Sequence, residues 1–499
     1  MSDGSMPQAL HRLPRGGAGC YALGADSLVA RRVAAVTQMH TLHFSESNPQ
    51  MLEMFTKAER NCPPYSYGLQ GTGAVFQMEF AGKFLTHAVQ VWKVSQDPEL
   101  KAVLAAFVSD LAAIQAENGN GYLSSMPDGS EFGLGKPVKA DDGTPVVNPW
   151  EAWGHYHLMT GLLLWHEAVG DATAMTVVTK MADLLCTLVG NNPQKLHTMT
   201  VYAGAPGGAP QYSGVNAVII DSMAWLFRVT CDAGHPVERY RKFCMACLAE
   251  WALPHSPDFL RQTLKGVQYY QLSVGGRRWE CLHSIMGLAE LSWAPGTSGA
   301  PPQQAMYAKA FQDVWWSLAQ YERKPQGAMM SQEGAKGSPY ANGSQETCCV
   351  VAWSALSVKM LEMTANSLVA DELELSLLNA AMMFIHPSGA WITYDSQVDF
   401  HTMGGQAGRQ NFFTAGALAW QSKPGTSQCG CCTVNGPRVL GMLAEWGLMS
   451  LGPTISATPG YTLNFFGAGT LGVGQREREF GEPQLKEHHE AYGVLFRAL

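Results

Sequence analysis

Apolar residues recur along most of this chain at helical spacing. Leu104, Phe107, Leu111 and Ile114 follow at steps of three, four and three, which puts one apolar stripe on a helix over 98–116. Val350, Trp353, Leu356, Met360 and Met363 form another. Between stripes one kind of turn returns: Ser95-Gln96-Asp97-Pro98, Val169-Gly170-Asp171, Thr230-Cys231-Asp232, Ala294-Pro295-Gly296-Thr297 and Thr364-Ala365-Asn366. Positions 97, 171, 232, 296 and 366 stand 74, 61, 64 and 70 residues apart, room each time for two helices and their loops. Helix pairs that cannot bury a face alone must stack on their neighbours, and about five or six such pairs predict ring closure. The expected fold is therefore all-α, an (α/α) barrel, with an irregular multi-helix domain as the alternative. Loops carrying Gly and Pro, 118–122 and 203–214, are expected on one rim, where barrels of this shape gather their chemistry.

The pattern breaks after Met449. Gly452-Pro453 and Pro459-Gly460 punctuate the chain, and Thr462-Leu463-Asn464-Phe465-Phe466 predicts a short strand. The expected division is a barrel over 1–449 and a short β-type extension over 450–499, too small for a full β-sandwich.

Charge narrows the partners. The 499 residues carry 33 basic and 41 acidic side chains, a net charge of −8, and charged residues are only 15% of the chain. With no Lys/Arg cluster to track a phosphate backbone, nucleic acid is not an expected ligand, and an uncharged small substrate suits the surface better. No apolar run reaches the length of a membrane span, and Arg12, Arg15, Arg31 and Arg32 flank no apolar stretch like that of a signal peptide, so a cytoplasmic chain that avoids membranes is expected.

Twelve cysteines are far too few for a disulfide scaffold. Cys186 and Cys281 read as buried thiols in apolar helices, and so do Cys244 and Cys247, whose Cys-x-x-Cys lacks a strand or turn before it. Cys348-Cys349 and Cys429-Gly430-Cys431-Cys432 are different. Each cluster stands before a helix; in the second, Asn435 is the expected N-cap and Pro437 the expected first-turn residue. Helix N-termini favour anions and lower thiol pKa values, and thiolates joined by the Glu346 carboxylate form a soft site suited to zinc. Buried thiols or disulfides are the alternative.

With Glu346-Thr347-Cys348 and Cys429-x-Cys431-Cys432 in place, the sequence resembles the glycoside hydrolases of family 127, typified by bacterial β-L-arabinofuranosidases. Weaker segments occur in the family's order: Gly82-Lys83-Phe84-Leu85, Gln115 with Gly121-Tyr122-Leu123, His157-Leu158-Met159 and His283-Ser284. The resemblance covers roughly residues 65 to 450 and implies an (α/α)6 barrel. It implies a zinc ion held by Glu346, Cys348, Cys431 and Cys432, with Cys431 as nucleophile and Cys348 as the fallback. The family's acid/base glutamate precedes Glu-Thr-Cys by a variable segment, and Glu333 is the only carboxylate between Glu322 and Glu346; a solvated loop glutamate is the other reading of that residue. His157, His283, Tyr394 and Gln77 match positions that bind substrate, and Trp150, Trp153 and Trp391 offer stacking surface.

The implied function is a retaining glycoside hydrolase that acts on a small carbohydrate substrate and removes a β-L-arabinofuranosyl residue, with a homodimer as the expected assembly. Two other classes stay open: a zinc-stabilised helical binding domain, and a polysaccharide lyase on a similar toroid using Tyr394 and a histidine. The second cysteine cluster departs from the family, with Gly430 and Thr433 where prolines are common, and Cys349 is an added thiol. Family members usually continue into β-sandwich modules, of which only an opening strand is expected here.

Overall fold

The computed structural model describes residues 9–12, 21–24, 27–60, 78–126, 128, 138–139, 145–146, 150–189, 200–202, 211–252, 258–272, 279–295, 301–329, 334–341, 345–396, 429–451, 461–465, 469–473, 476–480 and 494–496. Its frame is a double ring of helices. The principal ones are α1 (Leu28–Val36), α2 (Glu79–Ser95), α3 (Pro98–Asn118), α4 (Glu151–Val169), α5 (Ala172–Val189), α6 (Ile219–Asp232), α7 (Glu238–Trp251), α8 (Leu282–Trp293), α9 (Pro301–Tyr321), α10 (Thr347–Thr364) and α11 (Ser367–Leu375), followed by the short turns α12 (Cys431–Asn435), α13 (Arg438–Gly441) and α14 (Leu443–Trp446).

Burial sorts them into two layers. Residues 79–92 of α2, 151–165 of α4, 219–227 of α6 and all of α8 are buried on every side, as helices in the middle of a large core must be. In α3, by contrast, Leu100, Leu104, Phe107, Val108, Leu111 and Gln115 make one buried face. The inner helices touch in the sequence α2, α4, α6, α8, α10, then α12 and α13, which return to α2 and close the ring. The outer helices α3, α5, α7, α9 and α11 each pack on the inner helix that precedes them, and α1 covers α2 and α13. This is the expected (α/α)6 toroid.

The recurrent turns are the inner-to-outer corners. Asp97 caps α3, its side chain accepting from the Glu99 and Leu100 amides at 2.9 Å, with Pro98 at the first helical position. Gly170 ends α4 at φ 76°, and Asn366 caps α11. At the third corner Thr230-Cys231-Asp232 is still helix, and the reversal falls at Ala233-Gly234, where Gly234 has φ 78°. The expected strand over 462–466 is Tyr461–Leu463, and the buried residues Asn464 and Phe465 follow it. It pairs with Leu448–Ser450 and Val494–Phe496, and Leu448–Ser450 pairs in turn with His11–Arg12. A second sheet joins Tyr21–Leu23 to Gly469–Val473 and Arg476–Phe480. Strands from both ends of the chain thus share sheets.

Candidate active site

The first turns of the inner helices converge on one mouth of the ring. Glu346 is the residue before α10 and pairs in a short antiparallel ladder with Asp395. The Thr347 hydroxyl donates to the Thr393 carbonyl at 2.7 Å and its amide to the Tyr394 carbonyl at 3.0 Å, so the Glu-Thr-Cys corner is clamped to the segment that carries Tyr394. α12 starts at Cys431 behind the extended residue Gly430.

These two helix starts bring the thiols of Cys348, Cys431 and Cys432 within 4.8 Å of one another. Cys432 Sγ lies 3.3 Å from Cys348 Sγ, 3.8 Å from Cys431 Sγ and 3.9 Å from Glu346 Oε1. Tyr394 packs against the cluster. Cys432 is fully buried, whereas Cys348 and Cys431 are partly exposed. Cys348 holds a negative charge most readily: the thiols of Cys431 and Cys432 donate to it, and the Lys83 cation and the Asn435 amide, 3.6 Å from its sulfur, add to this against the effect of burial. Bonding to Cys348 raises the pKa of Cys431, and burial does most to raise that of Cys432.

Beside the thiols, α2 contributes a buried ion pair, Lys83 Nζ to Glu79 Oε1 at 2.7 Å. Burial, opposed by Lys83, pushes the Glu79 carboxyl up to about 7. Burial also works against the Lys83 cation, but Glu79 and the thiols of Cys348 and Cys431 outweigh it and raise its pKa. Trp153 on α4 donates its indole N–H to Glu79 and lies under Lys83, 5.3 Å from Nζ to the ring centroid. The same indole meets the His157 ring at 4.4 Å and the His283 ring at 5.3 Å, and the two imidazoles are 5.6 Å apart. Burial first, and the nearby cations second, depress both histidines, so both are neutral near pH 7. The result is a soft anionic corner, a buried carboxylate and an aromatic wall with uncharged hydrogen-bonding groups.

The sequence matches the family described as beta-L-arabinofuranosidase, GH127 catalytic domain, over residues 29–235 and 304–445. This chain belongs to the GH127 family. A solved GH127 β-arabinofuranosidase superposes with a TM-score of 0.64 at 16% identity, covering 95% of this chain and 66% of the other. A GH127 β-L-arabinofuranosidase from Geobacillus stearothermophilus T6 superposes with a TM-score of 0.61 at 17% identity, covering 91% and 68%. The likeness to these structures is one of fold, and the chain spans about two thirds of the length of either protein. No curated protein matches the sequence.

Of the residues picked out by the GH127 resemblance, Cys348, Cys431, Cys432, Glu346 and Tyr394 meet in one corner, and His157 and His283 meet on Trp153. Glu333 and Gln77 lie outside the described residues, as does most of the 203–214 loop. Trp150 packs edge-on against Trp153 at 6.0 Å, while Trp391 stacks on His386 at 5.1 Å. One expectation is corrected. Asn435 is not the N-cap of its helix but the last residue of α12, with Gly430 at the cap, and it is buried with its amide turned to Cys348. Pro437 precedes the next short turn, α13. The helix begins five residues early, with Cys431 and Cys432 themselves in its first turn. Cys244 and Cys247 are buried inside α7 with thiols pushed up by burial, in keeping with a packing role.

Sequence reading gave no site role to Glu79, Lys83, Tyr156 or Asp221. The first two had a signal, a carboxylate and an amine four apart on an otherwise apolar helix. Tyr156 and Asp221 had none, because their pairing spans two helices.

Proposed function

We propose that the chain is a retaining glycoside hydrolase that removes a β-L-arabinofuranosyl residue from a neutral carbohydrate. The observation that carries this reading is the convergence of three thiols and a carboxylate beside two neutral histidines and an indole face. The donor set fits zinc: three soft sulfurs from two helix starts, one of them readily ionised, with Glu346 as a fourth group. Glu346, Cys348, Cys431 and Cys432 would hold the ion. When bound, zinc keeps coordinating sulfur deprotonated near neutral pH and spreads the charge of a departing thiolate.

The chain's own groups then divide the chemistry. Trp153 offers an apolar face to the sugar, and His157 and His283 bind hydroxyls without adding charge. The Cys431 sulfur attacks the anomeric carbon and forms a carbon–sulfur bond as the bond to the leaving oxygen breaks. Glu333 gives that oxygen its proton. In the second half the Glu333 carboxylate takes a proton from water, the water oxygen attacks the anomeric carbon, and the sulfur leaves as thiolate. Two displacements at one carbon retain configuration. Of the three corner thiols, Cys348 and Cys431 are partly exposed, and the choice of Cys431 between them rests on the GH127 resemblance.

The test is release of the phenol from an aryl β-L-arabinofuranoside by zinc-loaded protein and by Glu333→Gln. The variant should keep zinc and fold and lose turnover by at least about 100-fold. Unchanged turnover removes Glu333 from the mechanism. A zinc-loaded protein that cleaves no aryl glycoside is a binding domain instead, and an unsaturated product absorbing in the ultraviolet marks a lyase.

A further inference from the structure

Behind the two histidines the barrel interior holds a chain of polar groups that the reaction above does not use. Tyr156 Oη lies 2.9 Å from His283 Nδ1 and 3.3 Å from Asp221 Oδ2. Lys359 Nζ lies 3.1 Å from Asp221 Oδ1 and also pairs with Glu290, which Arg228 holds from its other side at 3.0 Å. Two cations thus face two carboxylates across α6, α8 and α10, and Tyr156, Asp221, Glu290 and Lys359 are buried.

Tyr156 has one proton to give its two titratable neighbours, His283 and Asp221, while the Thr160 hydroxyl also lies beside the phenol oxygen. Donated to His283, it would leave the phenol oxygen facing the Asp221 carboxylate lone pair to lone pair. Donated to Asp221, it frees the phenol oxygen to accept from His283 Nδ1–H, and both contacts become attractive. A neutral imidazole has one ring proton, so Nε2 is then a bare acceptor in a ring lying against Trp153 and His157.

We propose that Tyr156 and Asp221 are positioning residues that fix His283 in its Nδ1-protonated tautomer, so that its Nε2 accepts a hydrogen bond from a substrate hydroxyl. The final clause rests on the glycosidase reading; the tautomer does not. Burial, with Glu290 adding to it, raises the pKa of the Asp221 carboxyl above its ordinary value and Lys359 opposes this; with Lys359 Nζ 3.1 Å from Oδ1, the geometry is that of an ion pair with a carboxylate. A protonated Asp221 would reverse the whole chain, donating to Tyr156, turning the phenol proton toward Nδ1 and placing the imidazole proton on Nε2. The two arrangements give opposite tautomers.

Nitrogen NMR of the full-length chain labelled with 15N-histidine reads the difference directly, with His283 assigned by comparison with His283→Gln. The expected wild-type spectrum has a protonated Nδ1 and an unprotonated Nε2. In Tyr156→Phe, and in Asp221→Asn, which offers an amide donor, the tautomer should become mixed or reversed. A wild-type His283 protonated at Nε2 overturns the proposal even where a variant fails to fold, and so does an unchanged tautomer in folded Tyr156→Phe. On an aryl β-L-arabinofuranoside, Tyr156→Phe should raise KM by roughly 10- to 100-fold with kcat little changed, the range for losing a partner that orients a functional histidine; an unchanged KM removes the substrate contact. The spectra need no substrate. Inactive wild-type protein with the expected spectrum defeats the glycosidase reading and leaves the positioning role standing, whereas active protein with the proton on Nε2 defeats this inference alone.

Discussion

Gly82 lies so close to the backbone of His157 that a methyl group on it would fall 2.2 Å from the His157 carbonyl carbon and 2.3 Å from the Leu158 nitrogen. A backbone gives way far less than a side-chain tip. Gly82→Ala should therefore push α2 and α4 apart, cost at least about 1–3 kcal/mol of stability and displace His157. Urea unfolding with parallel kinetics checks it: the midpoint should fall and KM rise, and a variant unchanged in both contradicts the close crossing.

Protein purified under reducing conditions should carry about one zinc per chain, because three thiols and a carboxylate meet at one point. Cys432→Ser, at the fully buried ligand, should lower both zinc content and melting temperature. Elemental analysis that finds no transition metal, before or after zinc is added, ends the metal reading.

An arabinofuranosyl haloacetamide should alkylate one thiol of the corner. Peptide mapping should find the label on Cys431 and never on the fully buried Cys432. Proton NMR of the first-formed sugar should show the configuration of the substrate. An inverted product, or no labelled cysteine, rules out thiolate attack even with zinc present.

Lys83→Met should destabilise the fold by about 3–5 kcal/mol, because it removes the cation Glu79 pairs with and leaves that buried carboxyl, already pushed up to about 7, to bind a proton or stand unpaired. The double variant Lys83→Met with Glu79→Gln should recover part of that loss, since no charge is then left unpaired. Denaturant titration of the two single variants and the double gives the coupling, and strict additivity would show that the pair is not an energetic unit.

Stability should also fall on the acid side of neutrality. Burial pushes His40 and His155 down to about 4, against an ordinary value of 6.5. Between those values the unfolded chain binds protons that the folded one refuses, so unfolding gains with each step down in pH. The loss should begin as pH drops through 6.5 and level off, for these groups, below about 4. Melting temperatures measured from pH 8 to pH 4 provide the check; a flat profile would place these rings in contact with solvent.

The helical frame was legible because its signals are local. Asp97-Pro98, Gly170 and Asn366 cap corners through contacts with residues two to four positions away, and spacing alone found them. The metal corner was legible for another reason, since its cysteines come in two tight clusters. The acid network was not. Tyr156, Asp221, Glu290 and Lys359 are scattered singly in four apolar helices, where each reads as an oddity of its own stripe. Asn435 misled because a capping residue and a buried amide look alike in sequence. The strand at His11–Arg12 had too few residues to show a period, and its partner lies more than 430 positions away.

Ring closure sets an order of events during synthesis. Helix α2 is flanked by α4 on one side and by α12 and α13 on the other, and Gly441 sits where a methyl group would lie 2.6 Å from the Gln90 carbonyl carbon and the Val91 nitrogen. The first flank is made soon after α2, the second only after more than 300 further residues. At about 5–20 residues per second, one side of a helix that ends up buried all round waits on the order of tens of seconds for its cover. An unfinished chain thus carries an open apolar seam along α2 until its last inner helices are made.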